Sequence, residues 1–476
     1  MRHRVFLVVV LALAILGILA IPFAQAHAAT TATPWLSANP LGVNVSPRQS
    51  DNAAVNSKID AQLKALGPVS IRYGGGTLAD AYFFDVNRDT YDCAEQWTSN
   101  PSLSCSKADT FSLADVMAQA KAIGADVMPI ANYGSGTSML AGSLASTIET
   151  DFPAQASSVE LGNEPYGCDS IINELELAPL YDTGYQHGSK PDCPYTLYGS
   201  VPGIEKMGQS YDTYAPGFIG EVKANDPALK VELPYAISPA GNSGYGWNDT
   251  VMPALKGKYS GIVVLWYPEY SAPDMTDAAA LNSIRYVPGA AAAIKSDIAK
   301  YSPGVTWQIG ETNDTNANNV AVCRPAGTVF AAGDALSWLA YGAQNVNWWD
   351  ETDPINTSTC SKPDFAMFSS TGVAQPPYTG YLLASKLAQP HAVLVPVKTG
   401  NSYFLEFHSQ LRGGHQDVAY INLSTTATAK LKGYPFPHAN LPTYRFSNSH
   451  PAIVETHTLT PATVTLPPDS ITIFTD

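Results

Sequence analysis

Eight short apolar runs, spaced by longer stretches of helical character, constrain this chain more than any other feature. They are Leu41–Val45, Val69–Tyr73, Asp126–Ala131, Ser158–Leu161, Leu229–Pro234, Ile262–Tyr267, Val305–Ile309 and Gln344–Trp349. Runs this short suit buried strands rather than helices. Several of the intervening segments are Ala-rich and amphipathic, namely Ala53–Leu66, Leu113–Ile123, Ala290–Lys300 and Gly327–Ala340. Strand and helix alternating eight times predicts an α/β fold, a (β/α)8 TIM barrel. In such a barrel the reactive groups sit at the C-terminal ends of the strands.

The pattern changes after about Tyr378. Tyr403–Phe407, Asp417–Leu423, Thr443–Phe446 and Ile471–Phe474 are short, β-prone and separated by Gly, Pro and Asn turns. They predict a C-terminal antiparallel β-sandwich. The expected organisation is a leader over 1–28, a barrel over 29–377 and a sandwich over 378–476. The segment 29–40 is expected to pack with the sandwich, Thr33–Asn39 as a candidate strand. Tyr166–Gly208, rich in Gly, Pro and Tyr, reads as one enlarged barrel loop.

Arg2 and Arg4 precede an apolar run from Val5 to Ile21, followed by Ala24-Gln25-Ala26 and Ala26-His27-Ala28. That order predicts an export signal with cleavage at a small-residue site, and hence a secreted chain without stable membrane association. An uncleaved membrane anchor is the alternative, because the run approaches spanning length. The formal charge of −15 becomes −17 when Arg2 and Arg4 leave with the signal. Such a surface repels polyanions, so no nucleic-acid partner is expected and heavily sulfated sugars are disfavoured.

In an exported chain the six cysteines predict disulfides, and their spacing favours Cys93–Cys105, Cys168–Cys193 and Cys323–Cys360. No zinc-like Cys or His spacing occurs, so neither a metal nor a cofactor is expected. Asn44, Asn248, Asn313, Asn356 and Asn422 occupy Asn-x-Ser/Thr sequons.

Two of the strand-like runs end on a glutamate. Ser158-Val159-Glu160-Leu161 leads into Gly162-Asn163-Glu164-Pro165, and Val305-Thr306-Trp307-Gln308 leads into Ile309-Gly310-Glu311-Thr312-Asn313. Two carboxylates at the ends of the fourth and seventh strands are the equipment for cleaving a glycosidic bond. One donates a proton while the other attacks. Glu164 reads as the acid/base and Glu311 as the nucleophile. Asn163 is placed to bond a sugar hydroxyl. Each glutamate alone also reads as an ordinary loop residue, but their joint placement favours chemistry. Arg72 closes the second run, either as an ion-pair partner inside the barrel or as a support for the carboxylates. Gly74-Gly75-Gly76 follows it without a Walker-type Lys, which excludes phosphate binding on this signal. Trp349, at the end of the eighth run, is a candidate sugar platform.

Ser70-Ile71-Arg72-Tyr73-Gly74-Gly75, Leu161-Gly162-Asn163-Glu164-Pro165 and Ile309-Gly310-Glu311-Thr312 together resemble glycoside hydrolase family 79. This is the heparanase and β-glucuronidase family of the retaining clan A glycosidases. Thr328–Leu336 resembles the family's helix after the nucleophile, and Ala419–Leu423 a strand of its sandwich. The resemblance implies that Asn163, Thr77, Asp80 and Asn132 line the sugar subsite. It also implies that Tyr267 or Tyr270 lies beside the nucleophile. One departure is visible. The family's glucuronate binders carry Tyr-Gly-Gly a few residues after the nucleophile, where this chain has Thr312-Asn313-Asp314-Thr315-Asn316-Ala317-Asn318. The expected function is a β-glucuronidase-like retaining glycosidase acting on an oligosaccharide or glycoside. The alternatives are a neutral-sugar glycosidase of the same clan and a non-catalytic carbohydrate-binding barrel.

Overall fold

The computed structural model describes residues 35–476 apart from 48, 50–51, 77–78, 80–81, 83–110, 135, 167–200, 238–245, 269–275, 315–322, 353–364, 402, 412, 433–439 and 460–462. Eight parallel strands close into a barrel in chain order. They are β1 (Leu41–Val45), β2 (Val69–Tyr73), β3 (Asp126–Ala131), β4 (Ser158–Leu161), β5 (Lys230–Tyr235), β6 (Gly261–Trp266), β7 (Thr306–Thr312) and β8 (Val346–Trp348). The first four match the apolar runs residue for residue, because a strand buried on both faces is rich in apolar residues along its whole length. Closure comes from β1 pairing with both β2 and β8.

Local chemistry sets the helix ends. Asn52 caps Ala53–Ala65 by accepting from the N–H groups of Ala54 and Val55. Ser112 and Asp115 form a capping box that starts Leu113–Ile123, and left-handed Gly124 stops it. Helices at Ser138–Asp151, Trp247–Ala254 and Asp277–Ser283 were not legible as amphipathic segments. The helix Val201–Asn225 begins inside the stretch read as a single enlarged loop.

The C-terminal strands are β9 (Val393–Val397), β10 (Phe404–Gln410), β11 (Gln416–Asn422), β12 (Ala429–Lys432), β13 (Asn440–Ser447), β14 (His450–Leu459), β15 (Thr463–Leu466) and β16 (Ser470–Phe474). Six of them form one antiparallel sheet in the order β14-β13-β16-β11-β10-β9, and β12 pairs with β15 beside it. Alternation along the strands splits the sheet's apolar residues between two faces. Ala419, Ile421, Ile471 and Ile473 join the core that includes the barrel helices, whereas Val418, Tyr420 and Phe474 pack with Val464 and Leu466.

The helix Pro325–Ala340 lies between barrel and sandwich, and every residue from Ala326 to Ala340 is buried. A second helix, Pro376–Ala384, crosses it at Gly380, where an added methyl would come within 2.4 Å of the Thr328 carbonyl oxygen. The expected boundary at 377/378 falls within this second helix. Segment 35–40 forms no strand; it meets the approach to β9 through Leu36 N–H to Ala392 O at 2.9 Å. The leader and Cys93, Cys105, Cys168, Cys193 and Cys360 lie outside the described residues, so each expected disulfide has at least one partner there. Cys323, partly exposed, lies just before the helix Pro325–Ala340. Among the described residues, no helix is long and apolar enough to cross a membrane.

Candidate active site

Strict alternation along β7 does not aim Glu311 into the barrel. Gln308 points inward, donating to Glu232 Oε2 at 2.7 Å, so a regular strand would turn Gly310 and Thr312 inward and Glu311 outward. The β6–β7 register instead slips by one residue, pairing Val264 with Ile309 and Leu265 with Glu311. The bulge leaves Gly310 unpaired and reverses the facing of the residues beyond it. Thr312 now points outward, with its hydroxyl donating to Asp334 on the helix Pro325–Ala340 at 2.8 Å. Glu311 points inward and is 4% exposed. Glycine is needed at the bulge because a methyl on Gly310 would come within 2.3 Å of Val263 and 3.1 Å of Arg72 Nε.

Arg72 is fully buried and organises the carboxylates. Its Nη1 donates to Glu311 Oε1 at 2.5 Å and to Asn44 Oδ1 at 3.0 Å. Its other edge grips Glu160 bidentately, Nε to Oε2 at 2.5 Å and Nη2 to Oε1 at 3.0 Å. Nη2 also reaches Asn163 Oδ1 at 2.8 Å. Burial disfavours the charged guanidinium, but Glu160 and Glu311 outweigh it and raise its pKa further. The two readings of Arg72 therefore merge into one. It is an internal ion-pair partner, and the pair it makes includes Glu311.

Tyr267 donates its hydroxyl to the second oxygen of Glu311 at 2.7 Å. Burial, then the adjacent Glu311 and Glu164 carboxylates, hold its phenol well above the usual tyrosine pKa, so it remains a donor. Tyr166 lies 3.3 Å from Glu164 Oε1, and its pKa is raised by burial and then by Glu164, Glu311 and Glu160. Glu164 follows β4 and Glu311 lies near the end of β7, so both stand at the C-terminal rim of one parallel barrel. Glu164 is partly exposed and adopts φ 41°, a left-handed conformation that is costly for a non-glycine residue.

The rim is completed by Trp349, whose ring lies over Gly76; a methyl on Gly76 would come within 2.7 Å of Trp349 Cη2. Asn313 holds the Trp349 carbonyl at 2.8 Å. Asn132 is buried, with its amide donating to Tyr82 O and accepting from Gly136 N–H, so it braces the loop after β3. Thr77, Asp80 and Tyr270 lie outside the described residues.

Sequence reasoning missed Glu160, Asn44 and Tyr166. A signal existed for the first two, since Glu160 and Asn44 interrupt otherwise apolar runs and β2 carries a lone arginine. Among the described residues no cluster of side chains is arranged to hold a metal ion.

The class that the fold defines is a closed (β/α)8 barrel followed by a β-sandwich, an arrangement found in solved glycoside hydrolases. A family 51 arabinofuranosidase from Xanthomonas axonopodis pv. citri is similar at a TM-score of 0.63 and 14% identity, covering 93% of this chain and 97% of that one. A 4-O-α-L-rhamnosyl-β-D-glucuronidase from Fusarium oxysporum is similar at 0.62 and 15%, with coverages of 93% and 97%. An α-L-arabinofuranosidase from Thermotoga maritima is similar at 0.65 and 11%, again covering 93% and 97%. At such low identities the likeness is one of fold alone. No family model matches the chain, and no curated protein matches it in sequence.

Proposed function

We propose that this chain is a retaining glycosidase in which Glu311 attacks the anomeric carbon and Glu164 protonates the departing oxygen. The observation that carries the reading is the setting of Glu311. Arg72 bonds one of its carboxylate oxygens and Tyr267 the other. Arg72 supplies the counter-charge, and the two donors fix the carboxylate's orientation. In the first step a Glu311 oxygen bonds to C1 as the C1–O bond breaks, and the Glu164 proton passes to the leaving alcohol. In the second step Glu164 takes a proton from water, the water oxygen bonds to C1, and Glu311 is released. The left-handed backbone at Glu164 supports a functional role, because such strain gathers where geometry is imposed by chemistry.

For the sugar, the motif resemblance and the glucuronidase of similar fold support small β-glucuronides. A second reading, a neutral sugar, is favoured by the departure after the nucleophile, where Thr312-Asn313-Asp314 stands in place of the Tyr-Gly-Gly of glucuronate binders. The reading includes export, with a mature N-terminus near His27 or Ala29. A panel of nitrophenyl glycosides, including β-glucuronide, β-glucoside and α-L-arabinofuranoside, tests the activity. A 2-fluoro glycoside should label Glu311, as mapped by mass spectrometry. Absence of turnover across the panel and of any label would refute the assignment.

A further inference from the structure

We propose that a groove beside the first hairpin of the sandwich is a second sugar-binding site, one that takes a carboxylate-bearing oligosaccharide. It lies where the turn Ile284–Tyr286 meets the β9–β10 hairpin and encloses about 390 Å³, within the size range of small-molecule sites. Two cations line it, Arg285 from the barrel side and Lys398 from the hairpin. Neither has a carboxylate partner among the described residues, in a chain with 41 acidic and 26 basic residues. The guanidinium of Arg285 lies over the ring of Tyr403, 5.5 Å from its centroid. Stacking of this kind leaves the N–H edge of an arginine available for a carboxylate.

The remaining lining suits the apolar face and hydroxyls of a pyranose. Pro288 and Pro396 form apolar wall, and Tyr403, 47% exposed, stands beside the groove beneath Arg285. The hairpin is already braced. Thr399 Oγ1 lies 3.0 Å from the Asn401 and Phe404 carbonyl oxygens, and Asn401 Oδ1 accepts from Tyr403 N–H at 3.0 Å. That leaves the Asn401 amide nitrogen to donate to a sugar hydroxyl. The carboxylate lining the groove, Glu406, is engaged by His408 Nε2 at 2.7 Å. A braced hairpin, two cations in one groove and an apolar wall together select an acidic sugar over a neutral one.

Titration calorimetry of the full chain with tetragalacturonate at low salt tests this site. The R285A/K398A double variant should lose at least tenfold in affinity, and Tyr403→Ala should also weaken binding. Neutral cellotetraose should bind wild type and double variant equally. Nitrophenyl glycoside hydrolysis should be unchanged in all the variants, so the groove and the catalytic reading stand or fall separately. Circular dichroism checks that the variants fold. Three results would overturn the proposal. They are no binding of tetragalacturonate to wild type, affinity unchanged in the double variant, and displacement of tetragalacturonate by inorganic phosphate at equal ionic strength.

Discussion

Arg72 lies 2.5 Å from Glu311 and, on its other edge, 2.5 Å from Glu160, so a single buried cation is divided between two carboxylates. Removing the arginine would strand both acids.

Arg72→Met should therefore destabilise the fold by about 3–5 kcal/mol, the usual result of breaking a buried ion pair from one side. Adding Glu160→Gln to that variant should recover part of the loss, because the deeper acid no longer needs a counter-charge. Denaturant unfolding of the single and double variants checks this. A double variant no more stable than Arg72→Met would show that Glu160 does not depend on the arginine.

Tyr267→Phe removes one donor from Glu311 while keeping the ring. A hydrogen bond to a charged group contributes about 1.5–3 kcal/mol, so kcat should fall about 10- to 100-fold with little change in melting temperature. Steady-state kinetics on an activated glycoside reads the effect. An undiminished kcat would remove Tyr267 from the mechanism.

Glu164→Ala should slow substrates with poor leaving groups far more than activated ones, which need little protonation. Azide should restore turnover in this variant and yield a β-glycosyl azide. Glu311→Gln should abolish turnover on every substrate. Uniform losses in Glu164→Ala without an azide product would contradict the division of roles.

Glu232 lies inside the barrel and carries a pKa raised to about 7, chiefly by burial, against the pull of its bond from Gln308. The folded state therefore holds this proton where the unfolded chain has released it. Its linkage makes stability fall as pH rises from about 4.5 to 7, by up to about 1.4 kcal/mol per unit, and level off above. Glu232→Gln should raise the melting temperature at pH 7.5 and leave it nearly unchanged at pH 4. Equal shifts at both values would show that the carboxyl ionises normally.

Four of the five sequon asparagines are interior. Asn44 bonds Gly310 O, Asn248 bonds Ala236 O, Asn313 bonds Trp349 O and Asn422 bonds Pro467 O. All four are at most 1% exposed. Folded, active protein from a glycosylating host should carry no glycan at these positions, as glycopeptide mapping would reveal. A glycan at any of them on active protein would contradict the packing described.

The barrel was legible because its strands are buried on both faces and announce themselves as apolar runs. The bulge at Gly310 was not, since one unpaired residue leaves no trace in a hydrophobic pattern, yet it decides which way Glu311 points. The glutamates were singled out from the polar loops that follow strands. Tyr166 was hidden because its relation to Glu164 depends on how the loop after β4 turns back on itself. The resemblance implied a sugar contact for Asn132, and its bonds to the Tyr82 and Gly136 backbone, which brace the loop after β3, left no trace in the sequence. Strands β9, β12, β14 and β15 are short or carry many exposed residues, so their alternation was too faint to read.

The helix Pro325–Ala340 has no face left for water. Cut free of the C-terminal sheet, the barrel would expose the side of that helix that meets β9 and β10, an adhesive patch inviting its own copies. The sandwich is thus less an appended module than the missing wall of the catalytic body, and neither part is free to be inherited, trimmed or exchanged without the other.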